Sequence, residues 1–69
     1  MKTIVAFIDR NSNVLGSFET NIVPNVGDTI SIDGVDTEGS YRRVSMLSYK
    51  YGNDLTVVGA SVSDSISDK

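Results

Sequence analysis

The fold is decided by residues 3–23, which read TIVAFIDRNSNVLGSFETNIV. Between residues 3 and 9 the apolar side chains fall on both alternating sides, with Ile4, Ala6 and Ile8 on one and Val5 and Phe7 on the other. This pattern is typical of a strand that is covered on both faces. Turn-forming residues interrupt the run at positions 10–13, and residues 14–23 then alternate. We therefore expect two strands that pair as a hairpin.

Three further strands are predicted downstream of this hairpin. They are separated by turns that are rich in Pro, Gly, Asn and Asp, which end strands or adopt the special backbone angles of turns. The predicted strands comprise residues 29–33, 41–51 and 55–62, and the turns between them comprise residues 24–28, 34–40 and 52–54.

Irregularities are expected in three of the strands. Gly16 lacks a side chain inside an alternating run, which predicts a bend or bulge. Tyr41 and Val44 both favour burial but have opposite parity, so a bulge is predicted near residues 42–43. In the last strand, residues 55–62, burial switches sides, which indicates a second bulge or a two-sided environment.

The composition favours strands over helices. Val, Ile, Thr and the aromatic residues make up 25 of the 69 residues, whereas Ala, Leu, Met, Glu, Lys and Arg make up 15 and Gln is absent. β-branched and aromatic side chains fit a pleated sheet, and the straight-chain helix formers are scarce. Residues 1–62 are therefore predicted to form one all-β domain, a small five-stranded antiparallel barrel of the SH3-like or OB-like kind. A two-layer β roll is the alternative, and residues 63–69 are predicted to form a disordered tail.

The chain has neither cysteine nor histidine, and this excludes several kinds of chemistry. There is no disulfide, no thiolate nucleophile and no zinc–thiolate site. The usual general base near neutral pH and the commonest transition-metal ligand are also missing. We therefore expect no enzyme, no cofactor and no metal site. A carboxylate dyad, for example Asp9 with Asp28, is the catalytic arrangement that the composition leaves open.

The N-terminal residues do not match a targeting segment. Residues 1–10 begin with a lysine and an apolar run, but Asp9 interrupts it after five apolar residues. A secretory signal needs roughly 7–15 apolar residues and a small-residue cleavage site. No run approaches the roughly 20 apolar residues of a membrane span. We expect a soluble, cytoplasmic protein without membrane contact, and the net charge of −3 fits solubility.

Three carboxylates lie close together in the loop before the fourth strand. They belong to Asp33, Asp36 and Glu38. Oxygen ligands suit Ca²⁺, but an EF-hand needs acids at alternate positions, a glycine at the sixth and a glutamate at the twelfth. The loop lacks that order, so a solvated loop is favoured over a Ca²⁺ site.

Basic and aromatic side chains are concentrated in the fourth strand. On a barrel, rings that stack on bases and cations that contact phosphates would form a surface for single-stranded nucleic acid. Tyrosine and arginine are also enriched at the hot spots of protein interfaces. The structural alternative has the tyrosines packing at the barrel edge and the arginines pairing with nearby aspartates. The candidate binding residues are Tyr41, Arg42, Arg43, Tyr49, Lys50 and Tyr51.

Residues 24–62 contain a recurring pattern of turn and strand residues. The pattern reads Pro24-x-x-Gly27-Asp28-x-Ile30-x-Ile32-x-Gly34, then Tyr41-Arg42-Arg43-Val44, then Tyr49 or Tyr51, and then Leu55-x-Val57. It resembles small SH3-like β-barrel proteins of bacteriophages and mobile elements, although the extra arginine between Tyr41 and Val44 departs from the usual register. The resemblance implies a barrel of phage-like origin and no catalytic residues.

Three functions compete on this sequence. We favour a non-catalytic protein-binding module, phage-encoded and acting in the host cytoplasm by binding or inhibiting a host or defence protein. The second is a small barrel that binds single-stranded nucleic acid, and the third is a structural subunit of a virion or other assembly. A protein partner is expected in the first case. Exposed edge strands would also allow a homodimer.

Overall fold

The computed structural model describes residues 1–67, and none of them lies in a helix. No helix of the length and hydropathy that crossing a membrane requires is therefore present in this range. The strands form one curled mixed sheet, a half-barrel, in the order β2-β1-β5-β4-β3 with β6 beside β4. This confirms the prediction of an all-β fold. The strands are β1 (Lys2–Ile8), β2 (Val14–Glu19), β3 (Thr29–Ile30), β4 (Ser40–Tyr51), β5 (Leu55–Val62) and β6 (Ile66–Ser67).

The direction of one strand pair differs from the prediction. β1 lies in the middle of the sheet and runs parallel to β5, with Lys2 beside Leu55 and Ile8 beside Ser61. All other strand pairs are antiparallel. The prediction of a purely antiparallel, five-stranded sheet was therefore wrong, because the described residues form six strands in a mixed sheet. Side chains alternate with the same period in both kinds of ladder, so the hydrophobic pattern cannot distinguish them.

The core lies on the concave face of the sheet and is built mainly from β5. Alternate residues of this strand are buried, as expected when one side chain in two faces the interior. Five buried residues form the central cluster, and Ile32, at 2% exposure, lies in the turn after β3. The cluster consists of Val5, Val44, Val58, Ala60 and Val62, and Phe7, Leu15, Val23, Ile30 and Leu47 pack against it.

The two middle strands are shorter than predicted. β2 ends at Glu19 rather than at Val23, because the Thr20 hydroxyl accepts the backbone N–H of Ile22 and bends the chain away. β3 ends at Ile30 rather than at residue 33. Ile32 instead begins a turn, in which its carbonyl accepts the N–H groups of Val35 and Asp36. β5 has the predicted bounds.

Two register shifts curl the sheet. The β1–β2 ladder pairs Phe7 with Gly16 and Ile8 with Val14, which leaves an extra residue next to Gly16 and confirms the predicted bulge. The β4–β5 ladder shifts between Val44 and Met46. The predicted bulge at residues 42–43 was therefore misplaced.

The position of Tyr41 explains why no bulge forms at residues 42–43. Tyr41 pairs with Ile66 of β6 at the edge of the sheet, so it need not share the core face with Val44.

The β1–β5 ladder is regular along its whole length, so β5 contains no bulge of its own. Burial in β5 does not switch sides, because residues 56, 58, 60 and 62 are buried while Leu55 is exposed and Val57 is half-buried on the other face. The predicted switch was therefore wrong.

Five residues of the predicted tail, 63–67, lie within the described range. The Ser63 N–H donates to the Arg43 carbonyl at 3.0 Å, and its hydroxyl accepts the Arg43 N–H at 3.0 Å. Asp64 forms an exposed ion pair with Arg10 at 3.2 Å. Residues 66 and 67 form β6 against Ser40 and Tyr41. Residues 68 and 69 of the predicted tail lie outside the described residues.

Asp9 caps the turn between β1 and β2. Its Oδ1 accepts the backbone N–H groups of Asn11 and Asn13, both at 2.9 Å, and its Oδ2 accepts Asn13 Nδ2 at 3.3 Å. The backbone bond from Asn13 is the largest of several influences that favour the carboxylate. The pKa of Asp9 is therefore lowered from its ordinary value of 3.8.

Replacing Asp9 with asparagine is expected to make the stability of the protein decrease less steeply as the pH falls. Because the folded pKa of Asp9 lies below its unfolded value, the ionised group contributes stability that is fully present above about pH 4. That contribution disappears as the pH falls through the folded pKa. Thermal midpoints measured down to about pH 2 should fall less steeply for Asp9→Asn than for the wild type. Equal slopes for Asp9→Asn and the wild type would contradict the assignment.

Candidate functional site

All six predicted binding residues lie in β4, but the structure does not bring them together on one surface. Tyr41 and Arg42 are half-buried, near the start of the strand. The other four are exposed, and they are divided between the two faces of the sheet. These four are Arg43, Tyr49, Lys50 and Tyr51.

Arg42 is held inside the protein by an ion pair. Its Nε donates to Asp36 Oδ1 at 2.9 Å and its Nη1 donates to the Ser63 carbonyl at 3.2 Å. The Arg42 side chain is 11% exposed and that of Asp36 is 1% exposed. The second oxygen of Asp36 accepts the Ile32 N–H at 2.9 Å. Arg42 therefore links three segments of the chain. This contact supports a structural role for Arg42 rather than a role in binding a partner.

Tyr49 and Tyr51 form an exposed stack, called the tyrosine pair below. Their ring centroids are 6.0 Å apart and their planes are inclined by 12°. Tyr49 is 48% exposed and Tyr51 is 76% exposed. In the register with β5 they lie opposite Val58 and Thr56, so both rings are on the concave face, beyond the end of the core. Large aromatic groups in this position provide apolar contact area together with hydroxyl groups that can form hydrogen bonds.

The cations of β4 lie apart from the tyrosine pair. Lys50 lies between the two tyrosines in sequence and therefore points to the opposite face, where it is opposite Val57. Arg43 is several residues away, where it pairs with Thr29 of β3. Arg42 is bound to Asp36. None of these three cations of β4 therefore lies beside the tyrosine pair.

The second half of β4 has an unpaired edge. On the outer side of β4, β3 pairs with residues 42 and 43, and Val44 exchanges backbone hydrogen bonds with Gly27 and Asp28. Beyond Val44 no strand of the described chain pairs with the outer side of β4. The sheet edge is therefore open over residues 46–51.

The turn at the end of β4 shows which backbone groups face outward. Gly52 donates to the Leu55 carbonyl at 2.7 Å and so faces β5. Successive residues of a strand direct their N–H and C=O groups to opposite edges. The groups of Leu47, Tyr49 and Tyr51 therefore face away from β5, and these are called the free β4 edge below. Two of the three residues belong to the tyrosine pair.

β2 forms the other open edge of the sheet, but it is less suited to pairing. It has six residues, and the bulge beside Gly16 interrupts its ladder with β1. Bulges and short strands are the usual means of blocking an edge against added strands. The free β4 edge contains no register shift between Met46 and Tyr51. It is therefore the better template for a partner strand.

Sequence reasoning missed an open groove of about 470 Å³ on the concave side. Its only ionisable lining residue is Asp28, whose Oδ2 accepts the Asn25 N–H at 2.8 Å. Polar groups that converge on one point are typical of small-molecule sites, and this groove does not provide them. The irregular segment 20–28 could have drawn attention to it. It is lined by Phe7, Ile22, Val23, Pro24, Asp28, Thr29, Ile30 and Ser31.

The acidic residues do not assemble into a metal site in the described range. No group of three or more Asp or Glu side chains there could hold a metal ion. In the loop considered for Ca²⁺, Asp36 is bound to Arg42 and to the Ile32 N–H. Asp9 and Asp28, the candidate dyad, each accept a backbone N–H in their own turn.

Comparisons with models of protein families, with curated proteins and with solved structures found no match. The resemblance to phage barrels therefore stays a prediction.

Proposed function

We propose that this chain is a non-catalytic protein-binding module that accepts an extended segment of its partner as an added strand on the free β4 edge. The observation that carries the proposal is the coincidence of an unpaired, unbulged edge with the exposed tyrosine pair. In strand addition, the backbone groups of the edge supply affinity and neighbouring pockets supply specificity.

The surroundings of the edge provide both parts of such a site. The outward N–H and C=O groups of Leu47, Tyr49 and Tyr51 would pair with the partner backbone. The tyrosine pair would pack on partner side chains at the concave face. A groove of about 220 Å³, lined by Lys50, Tyr51, Gly52, Leu55 and Val57, lies at the other side of the edge and could receive one partner side chain.

A protein partner fits this geometry better than a nucleic acid does. Binding of a single strand needs cations near the stacking rings. Here Arg42 is bound to Asp36, and Lys50 points away from the tyrosine pair. The resemblance to phage barrels makes a host or defence protein the partner class to examine first.

The test selects partners from a displayed library of random peptides and measures their affinity for edge variants. Tyr49→Ala removes a ring and is expected to raise Kd by roughly tenfold or more. Tyr49→Pro removes the ring and the outward N–H as well, so it should raise Kd further. Proline is tolerated at an edge position whose N–H faces outward, so the β4–β5 ladder should persist.

Ser17→Pro is the matched control, because Ser17 faces outward on the other open edge, β2. It is expected to leave Kd unchanged, and thermal unfolding verifies that each variant folds. The proposal would be contradicted if the selected peptides bound Tyr49→Pro as tightly as the wild type. It would also be contradicted if Ser17→Pro abolished their binding.

A further inference from the structure

The turn after β3 contains the one aspartate of the chain that precedes a glycine. Asp33 is followed by Gly34, whereas the other six aspartates and all five asparagines precede residues with side chains. The backbone nitrogen of the next residue can attack the side-chain carbonyl carbon of an aspartate, and a side chain on that next residue hinders the attack. Because glycine has no Cβ, Asp33 is the least hindered of these positions.

The structure leaves both reacting groups accessible. Asp33 and Gly34 are exposed. A methyl group added to Gly34 would have no atom within 4 Å, so the surroundings of its nitrogen are open. Within the described residues, the hydrogen bonds of this turn engage the carboxylate of Asp36 and leave that of Asp33 unbound. Neither the carboxyl group of Asp33 nor the nitrogen of Gly34 is therefore shielded by the fold.

The peptide group that joins Asp33 to Gly34 is free to rotate. The Ile32 carbonyl accepts the N–H groups of Val35 and Asp36 at 3.1 and 2.8 Å, which closes the turn around this peptide. Neither the Asp33 carbonyl nor the Gly34 N–H forms a hydrogen bond within the described residues. Gly34 has φ +83°, in the region that glycine enters without steric cost. Rotation that brings the Gly34 nitrogen towards Asp33 Cγ therefore breaks no hydrogen bond of the fold.

We propose that Asp33 isomerises spontaneously to isoaspartate through a cyclic imide with Gly34, and that the product destabilises the fold. The Gly34 nitrogen loses its proton and bonds to Asp33 Cγ, and the side-chain hydroxyl leaves as water. Water then adds to one of the two carbonyl groups of the imide. Addition at the former main-chain carbonyl breaks the original peptide bond, so the chain now runs through Cβ and Cγ of residue 33. The water released is taken up again, and the mass is unchanged.

Isoaspartate would lengthen the backbone by one methylene group inside a tightly held turn. Ile32, just before it, is 2% exposed, and its N–H donates to Asp36 Oδ2 at 2.9 Å. The other oxygen of Asp36 accepts Arg42 Nε at 2.9 Å. A longer chain between Ile32 and Asp36 cannot keep both residues in these contacts. The turn contacts β4 at Arg42 and not at the free β4 edge, so the inference does not depend on the proposed function.

Incubation of the folded full chain below its thermal midpoint tests the proposal. A synthetic peptide of residues 30–37, kept in the same buffer, is the reference for an unfolded site. Peptide mapping by mass spectrometry, with fragmentation that distinguishes isoaspartate from aspartate, should show isoaspartate at Asp33 in the folded chain. Its rate of formation should be of the same order as in the peptide. The isomerised fraction, separated by ion-exchange chromatography, should unfold at a midpoint lower by roughly 5–10 °C or more.

Two controls make the result specific. Asp33→Glu keeps the carboxylate, but its imide would be a larger ring that forms more slowly, so this variant should retain its initial midpoint during incubation. Glu38 and Gly39 are an internal control, because both are exposed and Gly39 has φ +84°. Isoaspartate absent from the folded chain when the peptide has formed it would overturn the proposal. So would an isomerised fraction with an unchanged midpoint, or an equal loss of stability in incubated Asp33→Glu.

Discussion

Replacing Arg42 with alanine is expected to lower the free energy of unfolding by about 3–5 kcal/mol, because it leaves the Asp36 carboxylate buried without its cation. A chain of 69 residues has a total stability of only about 3–10 kcal/mol, so this variant should be largely unfolded or close to it. The effect is large because Asp36 is 1% exposed, in contrast to the exposed pair of Arg10 and Asp64. Urea unfolding followed by circular dichroism measures the change.

A double variant separates the cost of an unpaired charge from a loss of packing. Arg42→Met/Asp36→Asn removes both charges, and the asparagine oxygen can still accept the Ile32 N–H. Replacing a buried ion pair with uncharged residues often changes the free energy of unfolding little. The double variant should therefore be more stable than Arg42→Ala. Arg10→Ala breaks the exposed pair with Asp64 and should change stability by less than about 1 kcal/mol. A mild effect of Arg42→Ala, similar to that of Arg10→Ala, would contradict the structural role.

Replacing Ile32 with alanine is expected to cost about 2–5 kcal/mol, as for other fully buried isoleucines. Ile32 lies in the turn after β3, and its Cγ2 is 3.6 Å from the point where a methyl group on Gly16 would lie. The side chain thus links the β3–β4 half of the half-barrel to β2. Truncation would open a cavity at the contact that keeps the sheet curled.

The same denaturation measurements test this prediction. Ile32→Val, which removes one methylene group, should cost about 0.5–1.5 kcal/mol and serves as the graded control. Val35→Ala, at an exposed position in the same turn, should cost less than either. A loss for Ile32→Ala no greater than that for Val35→Ala would contradict the assignment of Ile32 to the core.

Hydrophobic alternation predicted the all-β fold, and the bounds of β5, correctly. It could not predict that β1 and β5 are parallel, because the pattern has the same period in either direction. β6 was not predicted, because its segment contains a single apolar residue, Ile66. Strand order, direction and short edge strands depend on contacts between distant segments, which a local pattern does not contain.

The candidate site was predicted only in part for the same reason. The sequence identified β4 as the strand that carries tyrosines and cations, and the exposed Tyr49 and Tyr51 lie there. The sequence could not identify Asp36 as the ion-pair partner of Arg42, because it contains several aspartates. Which aspartate reaches Arg42 depends on how the turn after β3 folds back. The position of the bulge near Ser45 also decides which side chains share a face, and no residue type marks it.

The central claim is that the free β4 edge is the surface on which a partner strand binds. Amide hydrogen exchange of the full chain, measured by NMR with and without a selected peptide, tests it most directly. In the free protein the outward N–H groups of Tyr49 and Tyr51 should exchange faster than that of Lys50, which faces β5. On peptide binding, the Tyr49 and Tyr51 amides should become protected while the outward amide of Ser17 in β2 stays unchanged. Protection at Ser17 instead, or none at Tyr49 and Tyr51 when the peptide is bound, would contradict the claim.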